Sequence, residues 1–145
     1  MKAAFITQTG PPENIVYGDL PMPSVSATSV LVKVRAVSVN PIDTYLRAGL
    51  VKTDLPFPFI VGCDLAGVVE AVGPSATLFR PGDRVWGSNQ GLLGRQGTFA
   101  EFACVDEQWL YPLPPTVSFE QGAATALVGL TAYLGLVTHA RLQPG

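Results

Sequence analysis

The sequence predicts a mainly β fold, a barrel of short strands with only short helices until its last quarter. Three observations carry that expectation. Runs of β-branched and apolar residues are short and bounded by turn residues; 15 glycines and 13 prolines punctuate the 145 residues. The segment Val30 to Val39 sets Val30, Val32, Val34 and Ala36 against Leu31, Lys33, Arg35 and Val37, the two-residue period of a half-buried strand. Around Val61 to Val85, two apolar runs flank Gly73-Pro74 and Pro81-Gly82-Asp83, the turn chemistry of a hairpin.

Lys2 to Gln8 reads as a strand turned by Gly10-Pro11-Pro12, and Ile15 to Leu20 as a second strand stopped by Pro21 and Pro23. After the Val30–Val39 strand, Asn40 suits a helix N-cap, Pro41 the first turn and Gly49 the C-cap, which predicts a short helix between them. Pro56-Phe57-Pro58-Phe59 is a stiff aromatic lead into the central hairpin. Gly67 interrupts a run of β-formers, the mark of a bulge or of a close backbone approach. Trp86 to Gly97 is a glycine-rich loop, read equally as a mobile rim or an ordinary hairpin connection; it lacks Gly-x-Gly-x-x-Gly and a P-loop. Thr98 to Val105 and Trp109 to Pro112 read as the last strands. Ser118 and Gln121 have capping-box spacing, and the apolar run Ala123 to Val137 that follows is expected to be mostly buried helix.

Composition limits the function. The chain is 48% hydrophobic with a formal net charge of −2, and no basic patch stands ready for a polyphosphate backbone, so nucleic acid is not an expected partner. Met1-Lys2-Ala3 leads directly into a strand without a signal peptide, and the longest apolar stretch, broken by Thr, Tyr and Gly, reads as too short for a membrane span. Cys63 and Cys104 are too few for a disulfide framework and read as two buried free thiols; a reducing, cytoplasmic setting is expected.

Gly62-Cys63-Asp64-x-x-Gly67, then Gly73, then Pro81-Gly82-Asp83-Arg84-Val85 resembles the signature of the medium-chain dehydrogenase/reductase superfamily. Its zinc enzymes carry Gly-His-Glu-x-x-Gly at the first of these positions. Here Cys63-Asp64 replaces His-Glu, a departure shared by the zinc-free quinone oxidoreductase branch, the zeta-crystallin-like proteins. Asn40-Pro41-x-Asp43-x-Tyr45-x-Arg47-x-Gly49 is similar to that branch's Asn-Pro-x-Asp-x-Tyr-x-Arg-x-Gly, and Gly97-Thr98-Phe99-Ala100-Glu101-Phe102 to its Gly-x-x-Ala-Glu-Tyr/Phe.

The resemblance implies a GroES-like catalytic domain, a partly open barrel, over residues 1–122 and a helical connection over 123–145 toward an absent dinucleotide-binding domain. It implies NADPH as cofactor, held mainly by that absent domain, and a small-molecule quinone or related activated acceptor as substrate. Asn40 and Tyr45 would face the nicotinamide and the acceptor as catalytic and cofactor-binding residues. Thr131, in Gly129-Leu130-Thr131-Ala132-Tyr133, would bond the cofactor; from the residues alone, a helical Thr bonded to its own backbone is the simpler reading. No metal site is expected: Asn40 and Cys63 replace zinc ligands, Trp86 to Gly97 contains no Cys for a structural zinc lobe, and the single His, His139, is expected near a helix end or solvent. A second Tyr common after the helix in relatives is absent from Gly49-Leu50-Val51-Lys52. An alkenal or enoyl reductase of the same superfamily, or a stand-alone GroES-like binding module, are the alternative readings. The parent is expected to be a homodimer, and the isolated chain an inactive monomer.

Overall fold

The computed structural model describes residues 1–143. Pro144 and Gly145, the last two residues of the expected helical connection over 123–145, lie outside the described residues. Two antiparallel sheets form the body. The smaller has the order β2-β1-β4, from β1 (Lys2–Ile6), β2 (Val16–Asp19) and β4 (Phe59–Ile60). The larger has the order β7-β3-β5-β6-β8, from β3 (Ser29–Ser38), β5 (Asp64–Val72), β6 (Arg84–Gly87), β7 (Phe102–Asp106) and β8 (Leu110–Pro112). The sheets join where Ala3 bridges Ala100 and where Ala4 N–H donates to the Phe99 carbonyl at 2.8 Å. That junction closes one side of the barrel and leaves β7 and β8 as edges, as the partly open barrel requires.

The principal core lies inside the larger sheet, where Val30, Val32, Leu65, Val69, Val85, Val105 and Leu110 pack together. The predicted alternation in β3 holds from Lys33 onward, whereas Ser29 to Val32 is buried on both faces, with Val30 and Val32 in the principal core. Gly67 is the close approach that its setting predicts: a Cβ there would overlap the Lys33 carbonyl oxygen and lie 2.8 Å from Val32 Cγ1. The β3–β5 register shifts between Val34 and Ala36, opposite Gly67 and Ala66, so the missing side chain sits at an irregularity of the ladder.

Helix α1 (Pro41–Ala48) runs from Asn40 to Gly49, whose φ of 77° gives the left-handed C-cap only glycine adopts freely. Helix α2 (Phe119–Tyr133) begins on the predicted box: Ser118 Oγ accepts from Gln121 N–H at 3.2 Å and Gln121 Oε1 from Ser118 N–H at 2.9 Å. A π-helical turn (Leu134–His139) continues it.

Four expectations need correction. The strand expected from Thr98 begins only at Phe102, because Thr98 is drawn inward and its hydroxyl donates to the Asp64 carbonyl at 2.8 Å. The apolar run after Ala123 is not buried core: Ala123 and Ala126 pack inward, while Val128, Leu134, Leu136 and Val137 are about half exposed. Only one narrow stripe of the helix meets the sheet; the rest has no partner among the described residues. The apolar stretch is also not too short for a membrane, since Phe119–His139 is continuous helix of 21 residues, long and apolar enough by those measures alone to cross one. Finally, both cysteines are free, but Cys104 is half-buried rather than buried, because it sits on edge strand β7 with its thiol toward the Ser24 carbonyl at 3.4 Å.

Candidate active site

The site is organised by Asp64, the first residue of β5, which is 1% exposed. Its Oδ2 accepts from Asn40 Nδ2 at 2.8 Å, from Ser38 Oγ at 2.8 Å and from the Leu127 N–H of α2 at 3.2 Å. Its Oδ1 accepts from Ser88 Oγ at 2.5 Å. The salt bridges found among the described residues, Lys2–Asp19 and Arg80–Asp83, leave Asp64 outside them. Four donors without a cation are how a buried carboxylate is satisfied by hydrogen bonds alone. They tie the end of β3, the start of α1, the segment after β6 and the middle of α2 to one point.

Asn40 therefore turns inward: it is 4% exposed, and the amide that caps α1 also donates to Asp64. Its backbone N–H donates to Asp43 Oδ2 at 2.7 Å, the return half of the capping box. Asp43 Oδ1 is buried and has no hydrogen-bond partner. Burial raises the Asp43 pKa above the usual carboxylate value, with the Asn40 N–H opposing that shift. Burial, followed by the Asp43 carboxyl, pushes the Cys63 thiol well above its ordinary range. Cys63 is thus held as a neutral thiol, which disfavours it as a nucleophile.

Tyr45, on the next turn of α1, is 47% exposed and free to meet a ligand. Thr131 lies elsewhere, on α2, with its hydroxyl donating to the Leu127 carbonyl at 2.9 Å, the local bond that a helical Thr favours. It lines a cleft of about 240 Å³ together with Ser88, Trp109, Tyr111, Leu127 and Leu130. Neither Asn40 nor Tyr45 lines this cleft. The sequence-predicted residues thus fall in two places, joined through Asp64: Asn40 and the Leu127 N–H share its Oδ2, Ser88 bonds its Oδ1, and Ser88 and Leu127 belong to the cleft wall. A second, mostly apolar groove of about 590 Å³ runs between Leu20–Ser24 and β7 and touches none of the predicted site residues.

Sequence reasoning passed over Asp64 and Ser88 as functional groups. Asp64 had a signal, being an acid at the head of an apolar strand that cannot be left without partners. Ser88 had none beyond its place in a glycine-rich loop. Trp86 and Tyr111 stack at 4.9 Å between ring centroids, which backs the cleft with aromatic surface. Among the described residues no three of His, Cys, Asp and Glu converge as a metal site, and His139 is exposed in the last turn of the π-helix.

Residues 26–115 match the family model of the alcohol dehydrogenase GroES-like domain. The whole chain is 37% identical over 146 aligned positions to quinone oxidoreductase of Homo sapiens and 36% identical to that of Mus musculus, spanning 43% of the length of each. Among solved structures, the quinone oxidoreductase of Pseudomonas syringae superimposes with a TM-score of 0.89 at 36% identity, covering 99% of this chain and 43% of that one. The Escherichia coli quinone oxidoreductase complexed with NADPH superimposes with a TM-score of 0.87 at 28% identity, covering 99% of this chain and 42% of that one. With residues 26–115 matched, well over half of its length, the chain belongs to the alcohol dehydrogenase GroES-like domain family, and it spans less than half the length of the quinone oxidoreductases it resembles.

Proposed function

We propose that this chain is the substrate side of an NADPH-dependent, zinc-independent quinone oxidoreductase. Residues 1–122 form its catalytic domain, and residues 123–145 lead to a dinucleotide-binding domain. The observation that carries the reading is the aromatic-backed cleft of about 240 Å³ between β8 and α2, on a fold matched along its whole length by quinone oxidoreductases. A slot of that size fits one quinone ring, and its apolar walls favour a flat, weakly hydrated acceptor.

The chain's own contribution is placement and exclusion of water. Thr131 and Ser88 offer polar points on the cleft wall, Tyr45 stands exposed on α1, and Asn40 holds that helix against the Asp64 node. NADPH, when bound, supplies the hydride. A quinone is already electrophilic and spreads the incoming charge over its ring, so the residues need only align it. Zinc is not required for such an acceptor, and the Asn40 amide at one zinc position, committed to Asp64, suits that. Cofactor affinity in this architecture comes largely from the pyrophosphate and adenosine sites, so residues 1–145 alone should neither bind NADPH measurably nor turn over quinones. We place the two-domain protein in the cytoplasm as a homodimer and the isolated chain as a monomer.

The test is turnover of a two-domain protein containing this chain on a panel of quinones and enones with NADPH, alongside elemental analysis. Quinone reduction without stoichiometric zinc is the expected result. Preference for enones, or one tightly held zinc per chain, would refute the assignment.

A further inference from the structure

Two hydroxyls line the cleft between β8 and α2, and the protons of both are already committed. Ser88 Oγ donates to Asp64 Oδ1 at 2.5 Å, and Thr131 Oγ1 donates to the Leu127 carbonyl at 2.9 Å. The direction of the first bond follows from the node behind it. An amide NH₂ and a peptide N–H can only donate, and Asn40 Nδ2 and Leu127 N–H both serve Asp64 Oδ2. With Ser38 and Ser88 added, the carboxylate is an acceptor four times over and has no cation, so withdrawing the Ser88 proton would leave buried charge unsatisfied. A hydroxyl has one proton and two lone pairs. With its proton held, each can serve a ligand only as an acceptor.

We propose that Ser88 and Thr131 form a donor-selecting subsite of the cleft wall, the Ser88 hydroxyl kept in that polarity by Asp64 as a positioning residue and the Thr131 hydroxyl by the Leu127 carbonyl, which binds an O–H or N–H group of a ligand in preference to a carbonyl. The inference rests on the quinone oxidoreductase reading and deepens it. A quinone offers that wall only acceptors, whereas the hydroquinone it becomes offers hydroxyl protons. A wall of acceptors therefore binds the reduced ring more tightly than the oxidised one, which favours the reduced acceptor among the bound species and leaves the overall equilibrium unchanged. The primary carboxamide of a nicotinamide ring carries the same donor chemistry, so the two sources must be separated by experiment. The cleft is also lined by Asn89, Trp109 and Tyr111, whose side chains carry donors of their own.

The test is amide NMR titration of residues 1–145, following the Ser88, Leu127 and Thr131 signals, with paired probes that differ in donor capacity. One arm compares hydroquinone with 1,4-dimethoxybenzene, and the other compares nicotinamide with 3-acetylpyridine. Hydroquinone should bind about two- to tenfold more tightly than its dimethyl ether, the range of one net hydrogen bond; selectivity confined to the nicotinamide pair would report only the cofactor contact that the family resemblance implies for Thr131 and would overturn the proposal. Ser88→Ala should reduce that ratio. Asp64→Asn, close to isosteric, should also reduce it while the fold persists by circular dichroism, because it frees Ser88 to turn its proton outward. A purely structural role for Asp64 would change stability and leave the ratio intact. Equal binding within both pairs, a ratio unmoved by both variants, or no shift at the three signals would each overturn the subsite. Quinone turnover by the two-domain protein would then still stand, since it is measured separately.

Discussion

Asn40→Ala is the sharpest test of how α1 is held. Two interactions disappear with the side chain. Loss of an N-cap costs about 1 kcal/mol, and loss of a hydrogen bond to a charged group about 1.5–3 kcal/mol. Their sum overstates the effect, because Asp64 Oδ2 keeps Ser38 Oγ and Leu127 N–H, both within 3.2 Å. A loss of about 2–3 kcal/mol is expected, a large share of the 5–15 kcal/mol typical of a folded domain. With a urea slope of about 2 kcal/mol per molar, the unfolding midpoint should fall by about 1–1.5 M at unchanged slope. Asn40→Ser separates the two contributions: serine caps helices well but is too short to reach Asp64, so it should lose only the bond to the carboxylate and fall between the wild type and Ala. A loss below about 0.5 kcal/mol in Asn40→Ala, at unchanged slope, would refute the Asp64 node as the anchor of α1.

Tyr45→Phe, at a half-exposed position on α1, should leave the urea midpoint unchanged and lower kcat/KM of the two-domain protein about two- to twelvefold, the effect of one neutral hydrogen bond; unchanged kinetics across several quinones would remove Tyr45 from the site. Asp43, whose pKa burial raises, holds its proton more tightly folded than unfolded, so it favours the fold at low pH and loses that contribution as pH rises through the raised folded value; Asp43→Asn should flatten the stability–pH curve on the alkaline side of the ordinary carboxyl range. With a thiol reagent under native conditions, half-buried Cys104 should react first, and Cys63, buried and held neutral, only on unfolding; two equally fast thiols would contradict its environment. Gly67→Ala should cost at least about 3 kcal/mol or prevent folding, since the new methyl meets backbone at Lys33 that cannot move aside; a soluble variant with an unchanged melting temperature would contradict the packing.

What could be read in the sequence, and what could not, divides along physical lines. Gly67, Asn40, Gly49 and the Ser118–Gln121 pair were legible because each answers a local demand: a backbone contact, an orphan N–H, a left-handed residue, a reciprocal cap. Strand order and the barrel's closure follow from pairings between distant residues, such as Ala3 with Ala100, and had to come from the family resemblance. The burial of α2 failed for a related reason. An apolar helix states that it wants a partner, but only the rest of the fold determines which stripe finds one, and here Ala123 and Ala126 do while Leu136 and Val137 do not.

The candidate site was legible in its residue types and hidden in its connections. Reading Cys63 and Asp64 as the replaced His-Glu pair of a zinc site drew attention to what the positions had lost. What they gained is a hydrogen-bond node: the Asp64 carboxylate takes up the amide at the neighbouring replaced position, Asn40, and reaches α2 through Leu127. One buried negative charge, neutralised by no cation, thereby sets the orientation of every polar group touching it. Ser88 is the member of that node that also borders the cleft, so the charge acts on a ligand through the direction of a hydroxyl. A pattern of residue types cannot encode a proton's direction, because the direction is decided by four donors from four separate segments meeting at two oxygens.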